Sequence, residues 1–143
     1  MTDIDLDRPH IPCPDDVSLK QYQCIRKVVK FMHENYHDYT VRLDRVAYLA
    51  DMSPAHCSRV FKKVMGQTYS QYLQSLRISR AMSMLQIDVE GIIDIAAAVG
   101  YYDLTNFCRS FKKMTGQTPS SYREEMRKKK YWEDKKNGIP VKD

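Results

Sequence analysis

The sequence predicts an all-α fold of about seven helices, in which one two-helix unit is used twice and the copies are joined by a long linker helix. The segment 59–72 returns as 109–122, and ten of the twenty-five positions in the windows 53–77 and 103–127 are identical. Self-similarity at a fixed period fixes the architecture, and two copies are too few for a solenoid. Apolar residues recur at spacings of three and four, and no stretch shows sustained period-two alternation, which favours helices over strands.

Length and composition are typical of a folded domain. The chain has 143 residues, of which 43% are hydrophobic and 29% are charged. No apolar run is long enough to span a membrane, and the acidic N-terminus lacks the apolar core of a secretory signal. We therefore expect a cytoplasmic protein without a membrane partner.

Charge is unevenly distributed along the chain. Residues 1–20 hold five aspartates against Arg8 and Lys20, a balance of −3, and since the net charge is +5 the remaining residues carry +8. A basic body favours a polyanionic partner, although charge alone fits a solvated basic surface equally well. The four cysteines form no C-x-x-C pair, which is typical of reduced thiols. We expect no metal, no cofactor and no enzymatic activity.

The chain divides into a Pro-containing polar tail or linker at 1–17, a domain at 18–130 and a charged tail at 131–143. Ser18 with Gln21 forms a capping box. It predicts an amphipathic helix that ends near residue 37.

The first two-helix unit spans about 43–64. Its first helix, near 43–50, carries apolar residues on one face, and Ser53 followed by Pro54 opens the second helix. Gly66 is a natural stop for that helix. Thr68 then caps the linker helix, at about 69–86.

The second unit spans about 92–114. The apolar residues of its first helix match those of the earlier copy at a shift of 49 rather than 50, so the turn near Tyr101 and Tyr102 contains one extra residue. Asp103 caps the next helix, on which Phe107, Phe111 and Met114 are expected to face inward. Thr118 and Pro119 open a last helix, which fades into the charged tail.

A short helix, a tight turn and a second helix with a polar outer face form a helix-turn-helix, in which the second helix reads the major groove of DNA. The outer face of the first recognition helix is formed by Ala55, His56, Ser58, Arg59, Lys62 and Lys63. The outer face of the second is formed by Leu104, Thr105, Asn106, Cys108, Arg109, Lys112 and Lys113.

The chemistry of these side chains suits DNA. The guanidinium of Arg59 or Arg109 can bind guanine O6 and N7, and the amide of Asn106 can bind adenine N6 and N7. Two recognition helices on one chain would lie about one turn of DNA, roughly 34 Å, apart. Because the copies differ, we expect an asymmetric site.

Over residues 22–127 the chain resembles the DNA-binding domain of the AraC/XylS family of bacterial transcription regulators. In the first half the resemblance is carried by Ala47, Ser53-Pro54, Ser58-Arg59-Val60-Phe61-Lys62-Lys63, Gly66, Tyr72-Leu73, Arg77-Ile78 and Ala81. In the second half it is carried by Ile95-Ala96, Val99-Gly100-Tyr101, Phe107, Arg109, Phe111-Lys112-Lys113, Gly116, Thr118-Pro119 and Tyr122-Arg123.

The resemblance implies seven helices, double-stranded DNA as the partner, and RNA polymerase as a second partner if the protein is an activator. It implies base-facing positions among the residues of the two outer faces. Most members carry a separate sensing domain, and none fits within residues 1–21. The chain is therefore expected to be a stand-alone regulator or a C-terminal portion of one.

Two other functions remain open on the sequence. The segment His33-Glu34-Asn35-Tyr36-His37 matches H-E-x-x-H, the signature of zinc peptidases, which also requires a third protein ligand and a substrate cleft. A helical protein-interaction module is the other alternative, but it would not need paired basic helices.

Overall fold

The structure is a computed structural model that describes residues 13–141, and within that range it contains seven α-helices and no strand. The all-α prediction of about seven helices is confirmed. The helices are α1 (Leu19–Asn35), α2 (Leu43–Leu49), α3 (Pro54–Met65), α4 (Tyr69–Ile87), α5 (Ile92–Ala98), α6 (Leu104–Thr115) and α7 (Pro119–Lys136). None of these helices combines the length and the apolar character needed to cross a membrane.

The chain forms two compact units whose boundary lies between Arg77 and Ile78, inside α4. In unit 1, α1 packs against α2 and α3, and α2 packs against α3. Phe61 of α3 is fully buried, and its ring meets Tyr69 and Tyr72 of α4 edge to face, at 5.8 Å between centroids in each case. The core of unit 1 therefore fixes which side of α3 faces inward.

Unit 2 contains the C-terminal part of α4 together with α5, α6 and α7. Helix α6 packs against α5 and α7. Phe107 and Phe111 are fully buried, and Phe111 meets Tyr122 of α7 at 5.6 Å. The buried apolar residues of unit 2 include Ile78, Ala81, Leu85, Ile95, Ala96, Val99, Phe107, Phe111 and Tyr122.

Helices α1, α4 and α7 begin at 50-residue intervals, which extends the repeat beyond the two copies recognised in the sequence. Each is preceded by a hydroxyl residue, Ser18, Thr68 or Thr118, whose side chain accepts a hydrogen bond from the backbone N–H three residues later. A capping hydroxyl satisfies one of the donors that a helix start leaves unpaired. A buried tyrosine follows each cap by four residues, at Tyr22, Tyr72 and Tyr122.

The turns of the two helix-turn-helix units differ as predicted. The first comprises residues 50–53 and the second residues 99–103, so the second contains one more residue. Each turn has one residue with positive φ, Asp51 at 55° and Gly100 at 101°. The stop predicted at Gly66 is also confirmed, since it ends α3 with φ 77°.

Three expectations were wrong in detail. Met114 was expected to face inward, but 41% of it is exposed, whereas its counterpart Val64 is buried. Helix α7 continues to Lys136, whereas the sequence predicted a charged tail from residue 131. Val17 was assigned to the N-terminal tail, but it is buried in the core of unit 1. Residues 1–12 of that tail lie outside the described residues.

An arginine at equivalent positions of α4 and α7 binds the segment that leads into each helix-turn-helix. Arg77 donates to the backbone oxygens of Tyr36 and Asp38, at 2.8 and 3.0 Å. Arg127 donates to both carboxylate oxygens of Asp88, at 2.7 and 3.0 Å. These hydrogen bonds hold the segment before α2 against α4, and the segment before α5 against α7.

The carboxylate of Asp88 is held by two arginines. Hydrogen bonds from Arg127, and then the positive charges of Arg127 and Arg123, lower the pKa of Asp88 below its ordinary value. Arg123 lies 3.2 Å from the same carboxylate and also donates to the backbone oxygen of Glu90. A carboxylate with a depressed pKa in the folded protein contributes stability above its ordinary pKa and loses that contribution as the pH falls through the folded-state pKa.

We expect Asp88→Asn to lower the free energy of unfolding by about 0.5–1 kcal/mol at pH 7, because it removes the charge that both arginines bind. Asparagine tolerates the positive φ of 60° at this position as aspartate does, so the backbone should be unaffected. The difference should shrink as the pH is lowered from 7 toward 2, because the wild-type carboxyl loses its charge as the pH falls through its depressed pKa. Thermal unfolding followed by circular dichroism at both pH values measures it, with Glu125→Gln as the control. A deficit that is equal at the two pH values would contradict the electrostatic explanation.

Candidate nucleic-acid interface

Helix α3 separates an apolar inner face from a polar outer face. Ser53 caps it by accepting from the backbone N–H of His56, and Pro54 occupies the first turn, where its lack of an N–H costs nothing. Cys57, Val60, Phe61 and Val64 are buried beneath it. Of the predicted site residues, four are exposed and His56 and Ser58 are half-buried; the exposed ones are Ala55, Arg59, Lys62 and Lys63.

Helix α6 repeats the separation. Its cap is Asp103, whose carboxylate accepts from the backbone N–H of Asn106 at 2.7 Å. Phe107 and Phe111 are buried, while Cys108 is half-buried. The remaining predicted site residues are all exposed: Leu104, Thr105, Asn106, Arg109, Lys112 and Lys113.

The charges of both helices are arranged alike. Lys62 and Lys63 lie in the last turn of α3, and Lys112 and Lys113 lie in the last turn of α6, where cations interact favourably with the helix dipole. Neither helix has an acidic residue in its first turn. Each unit thus presents a helix whose exposed face carries only basic charge, which is the electrostatic character that a phosphate backbone requires.

Two predicted contact residues of α3 are bonded to the segment around the start of α1. The ring nitrogen Nε2 of His56 lies 3.2 Å from the side-chain amide nitrogen of Gln21. The ammonium of Lys63 lies 3.1 Å from the carboxylate of Asp16. Sequence reasoning missed both partners as site residues, although the capping box at Ser18 and Gln21 had identified the helix start itself.

Polar side chains on α6 bond to one another instead. The amide nitrogen of Asn106 donates to the carboxylate of Asp103 at 2.9 Å, and Arg109 donates to the amide oxygen of Asn106 at 3.4 Å. The three residues are spaced by three along the helix and so share one face. The orientation of Asn106 is therefore set by its own helix.

Cys57 of α3 is shielded from reaction by burial. Cys57 is fully buried, and desolvation, followed by the proximity of Cys24, raises the pKa of its thiol. A raised pKa disfavours the thiolate, which is the reactive form. All four cysteines are free in the structure.

The H-E-x-x-H segment is used structurally. The Nε2 atom of His33 lies 2.7 Å from the hydroxyl of Tyr72, and His37 is exposed. Burial raises the pKa of Tyr72 to about 12, so the phenol stays neutral and able to hydrogen-bond. Among the described residues no group of three histidine, cysteine, aspartate or glutamate side chains is placed to hold a metal. The zinc-peptidase alternative is not favoured.

Comparisons with known proteins agree with this geometry. Residues 46–125 match the helix-turn-helix domain family. A curated relative from Bacillus subtilis, the uncharacterized HTH-type transcriptional regulator YtdP, is 34% identical over 103 residues, which is 69% of this chain and 13% of that protein. This chain spans between 13% and 44% of the length of curated relatives such as YtdP.

Solved structures of other proteins have a fold similar to that of this chain. A transcriptional regulator with an AraC-type DNA-binding domain from Chromobacterium violaceum has a TM-score of 0.65 and 25% identity, over 76% of this chain and 96% of that one. The DNA-binding domain of AdpA, solved with a target DNA, has the same fold, with a TM-score of 0.70 and 23% identity over 73% and 94% of the chains. Since the helix-turn-helix match covers more than half of it, the chain belongs to the AraC/XylS family of transcription regulators and corresponds to the DNA-binding domain of that family.

Proposed function

We propose that this chain binds double-stranded DNA sequence-specifically by inserting α3 and α6 into successive major grooves, and that it regulates transcription from the bound site in the cytoplasm. One observation carries the proposal. In both units the helix has an exposed arginine on the face opposite a buried phenylalanine. These residues are Arg59 and Phe61 in α3, and Arg109 and Phe111 in α6. A helix-turn-helix needs this division, because one face must pack while the other reads DNA.

The two classes of exposed residue have different roles in this proposal. Arg59 and Arg109 reach base edges, where a guanidinium pairs with guanine O6 and N7. The lysines in the last turns neutralise phosphates, which adds affinity without sequence information. The outer faces contain His56 in one unit and Asn106 in the other, so the two half-sites differ and the site is asymmetric.

A regulator that activates transcription would also contact RNA polymerase. DNA binding in this mode requires no metal, cofactor or catalytic group. A helical protein-interaction module is the competing function. Selection of bound duplexes from a random pool, followed by footprinting, tests the two against each other, since an interaction module would enrich no sequence.

We expect Arg59→Ala and Arg109→Ala each to weaken binding to the selected site by about 1–3 kcal/mol and to relax specificity within one half-site only, because each removes one base contact. Titration of the selected duplex and of variants mutated in either half-site measures both effects. Lys30→Ala, which removes one exposed charge from α1, is the control. Unchanged affinity and specificity in both arginine variants would refute the assignment of α3 and α6 to the groove.

Lys62→Ala should weaken binding to every sequence by a similar factor, because a phosphate contact is blind to the bases. The slope of log K against log salt should fall by about one. Titrations at several salt concentrations, on the selected duplex and on an unrelated one, measure the slope. A loss confined to the selected duplex would instead make Lys62 a base-reading residue.

Asp16→Asn should strengthen binding to all duplexes by about two- to fivefold at low salt, because it frees Lys63 for phosphate and removes an acidic charge beside the recognition helix. The gain should shrink at high salt, where exposed ion pairs are screened. Asp15→Asn removes a neighbouring exposed charge and serves as the matched control. Equal gains in both variants would assign the effect to net charge rather than to the ion pair with Lys63.

A further inference from the structure

His56 lies on the recognition helix of unit 1, but its ring is held by a residue of α1. We infer that Gln21 fixes His56 as the neutral imidazole that carries its proton on Nδ1, and that His56 consequently reads DNA as a hydrogen-bond donor. It would prefer base edges that present an acceptor, such as purine N7 or thymine O4, over the amino group of cytosine. This inference rests on the proposed function and adds a positioning residue outside the helix-turn-helix.

The orientation of the Gln21 amide follows from the capping box. The backbone N–H of Ser18 lies 3.1 Å from the side-chain oxygen of Gln21. A backbone N–H can only donate, so the atom that faces it must be the oxygen. The amide cannot rotate by 180° without placing its NH₂ group against that N–H, and its nitrogen must therefore point elsewhere.

That nitrogen faces the imidazole of His56. It lies 3.2 Å from Nε2, and an amide NH₂ can only donate. The Nε2 atom of His56 must then accept, so in the neutral ring the proton resides on Nδ1. The chain of hydrogen bonds from Ser18 through Gln21 to His56 thus specifies one tautomer of the neutral ring.

The Nδ1 proton remains available to a ligand. Within the part of the chain that the structure describes, the ring of His56 has no hydrogen-bond partner besides Gln21. The ring is half-buried on the same helix face as the exposed Arg59. In the major groove, a donor discriminates against cytosine N4, which is itself a donor, and in favour of the acceptors on the other three bases.

The equivalent position in unit 2 is occupied by Asn106, which has different partners. Asn106 is 50 residues after His56, and it is oriented by Asp103 and Arg109 of its own helix. An amide keeps its NH₂ as a donor and its oxygen as an acceptor whatever its partners, whereas Nδ1 of a neutral imidazole is a donor or an acceptor according to the tautomer. The contact from α1 is therefore decisive for His56 in a way that has no equivalent for Asn106.

The tautomer itself is tested in the free protein by two-bond nitrogen–proton correlation spectra of the histidine rings, at a pH where His56 is neutral. We expect the Nδ1–H pattern for His56 in the wild type and a shift toward the Nε2–H pattern in Gln21→Ala. The chain provides a matched control in Gln71→Ala, because Gln71 forms the same reciprocal capping box with Thr68. An Nε2–H pattern in the wild type would overturn the inference.

The consequence for recognition is tested by duplex selection with the same variants. We expect about tenfold discrimination against cytosine at one position of the selected site, reduced to less than about threefold in Gln21→Ala and in His56→Ala but retained in Gln71→Ala. The double variant Gln21→Ala, His56→Ala should lose no more discrimination than His56→Ala alone. Gln21→Met, which keeps the length of the side chain, replaces Gln21→Ala if that variant unfolds.

The outcomes separate the two proposals. If the wild type enriches no duplex, the proposed function fails, and the tautomer measurement still decides whether Gln21 fixes the ring. If the wild type enriches a site and Gln21→Ala changes no base preference, or changes it as much as Gln71→Ala does, the positioning role of Gln21 is refuted while the proposed function stands.

Discussion

The contact between a buried phenylalanine and a buried tyrosine of the next helix is the constraint on which both recognition faces depend. Phe61 meets Tyr72 at 5.8 Å in unit 1, and Phe111 meets Tyr122 at 5.6 Å in unit 2. Burying a phenylalanine contributes about 1.5–3 kcal/mol, and edge-to-face ring pairs add to it. A helix anchored in this way cannot rotate about its axis without losing the contact. Its opposite face, which carries the arginine, is therefore held toward solvent.

Each copy of the repeat contains this aromatic contact and also an arginine that binds the segment before the helix-turn-helix. Arg77 and Arg127 occur at the same place in the repeat, yet one binds two backbone oxygens and the other binds the carboxylate of Asp88. The donor has been kept while its acceptors differ. Both solutions tie the segment before a helix-turn-helix to the helix after it. The two copies thus share the position of the arginine and the segment that it binds, but they differ in the acceptor groups.

Much of the fold could be predicted from the sequence because its determinants are local. Caps such as Ser53 and Asp103, and stops such as Gly66, act on backbone groups within three or four residues, so their effects are visible in a short window. The exposure of Arg59 and Arg109 followed from helical periodicity alone.

The features that escaped prediction depend on distant residues or on how a unit closes. Gln21 and His56 are 35 residues apart, and Asp88 and Arg127 are 39 apart, so no local pattern announces either contact. Met114 matches the buried Val64 in sequence, yet 41% of it is exposed, because burial depends on what the neighbouring helices cover. In each case the missing information was how segments distant in sequence pack against one another.

His56 and Asn106 occupy equivalent positions in the two copies and are held by different partners. His56 is held from α1, whereas Asn106 is held by the cap of its own helix. The specificity of a base-reading residue can change in two ways. The residue itself can be substituted, or the residue that orients it can change. The second way requires no change on the recognition helix. The segment that contains Asp16 and Gln21 is placed to act in this manner, since it contacts α3 at Lys63 and at His56. We therefore propose that sequence specificity in unit 1 depends on α3 together with the residues around the start of α1.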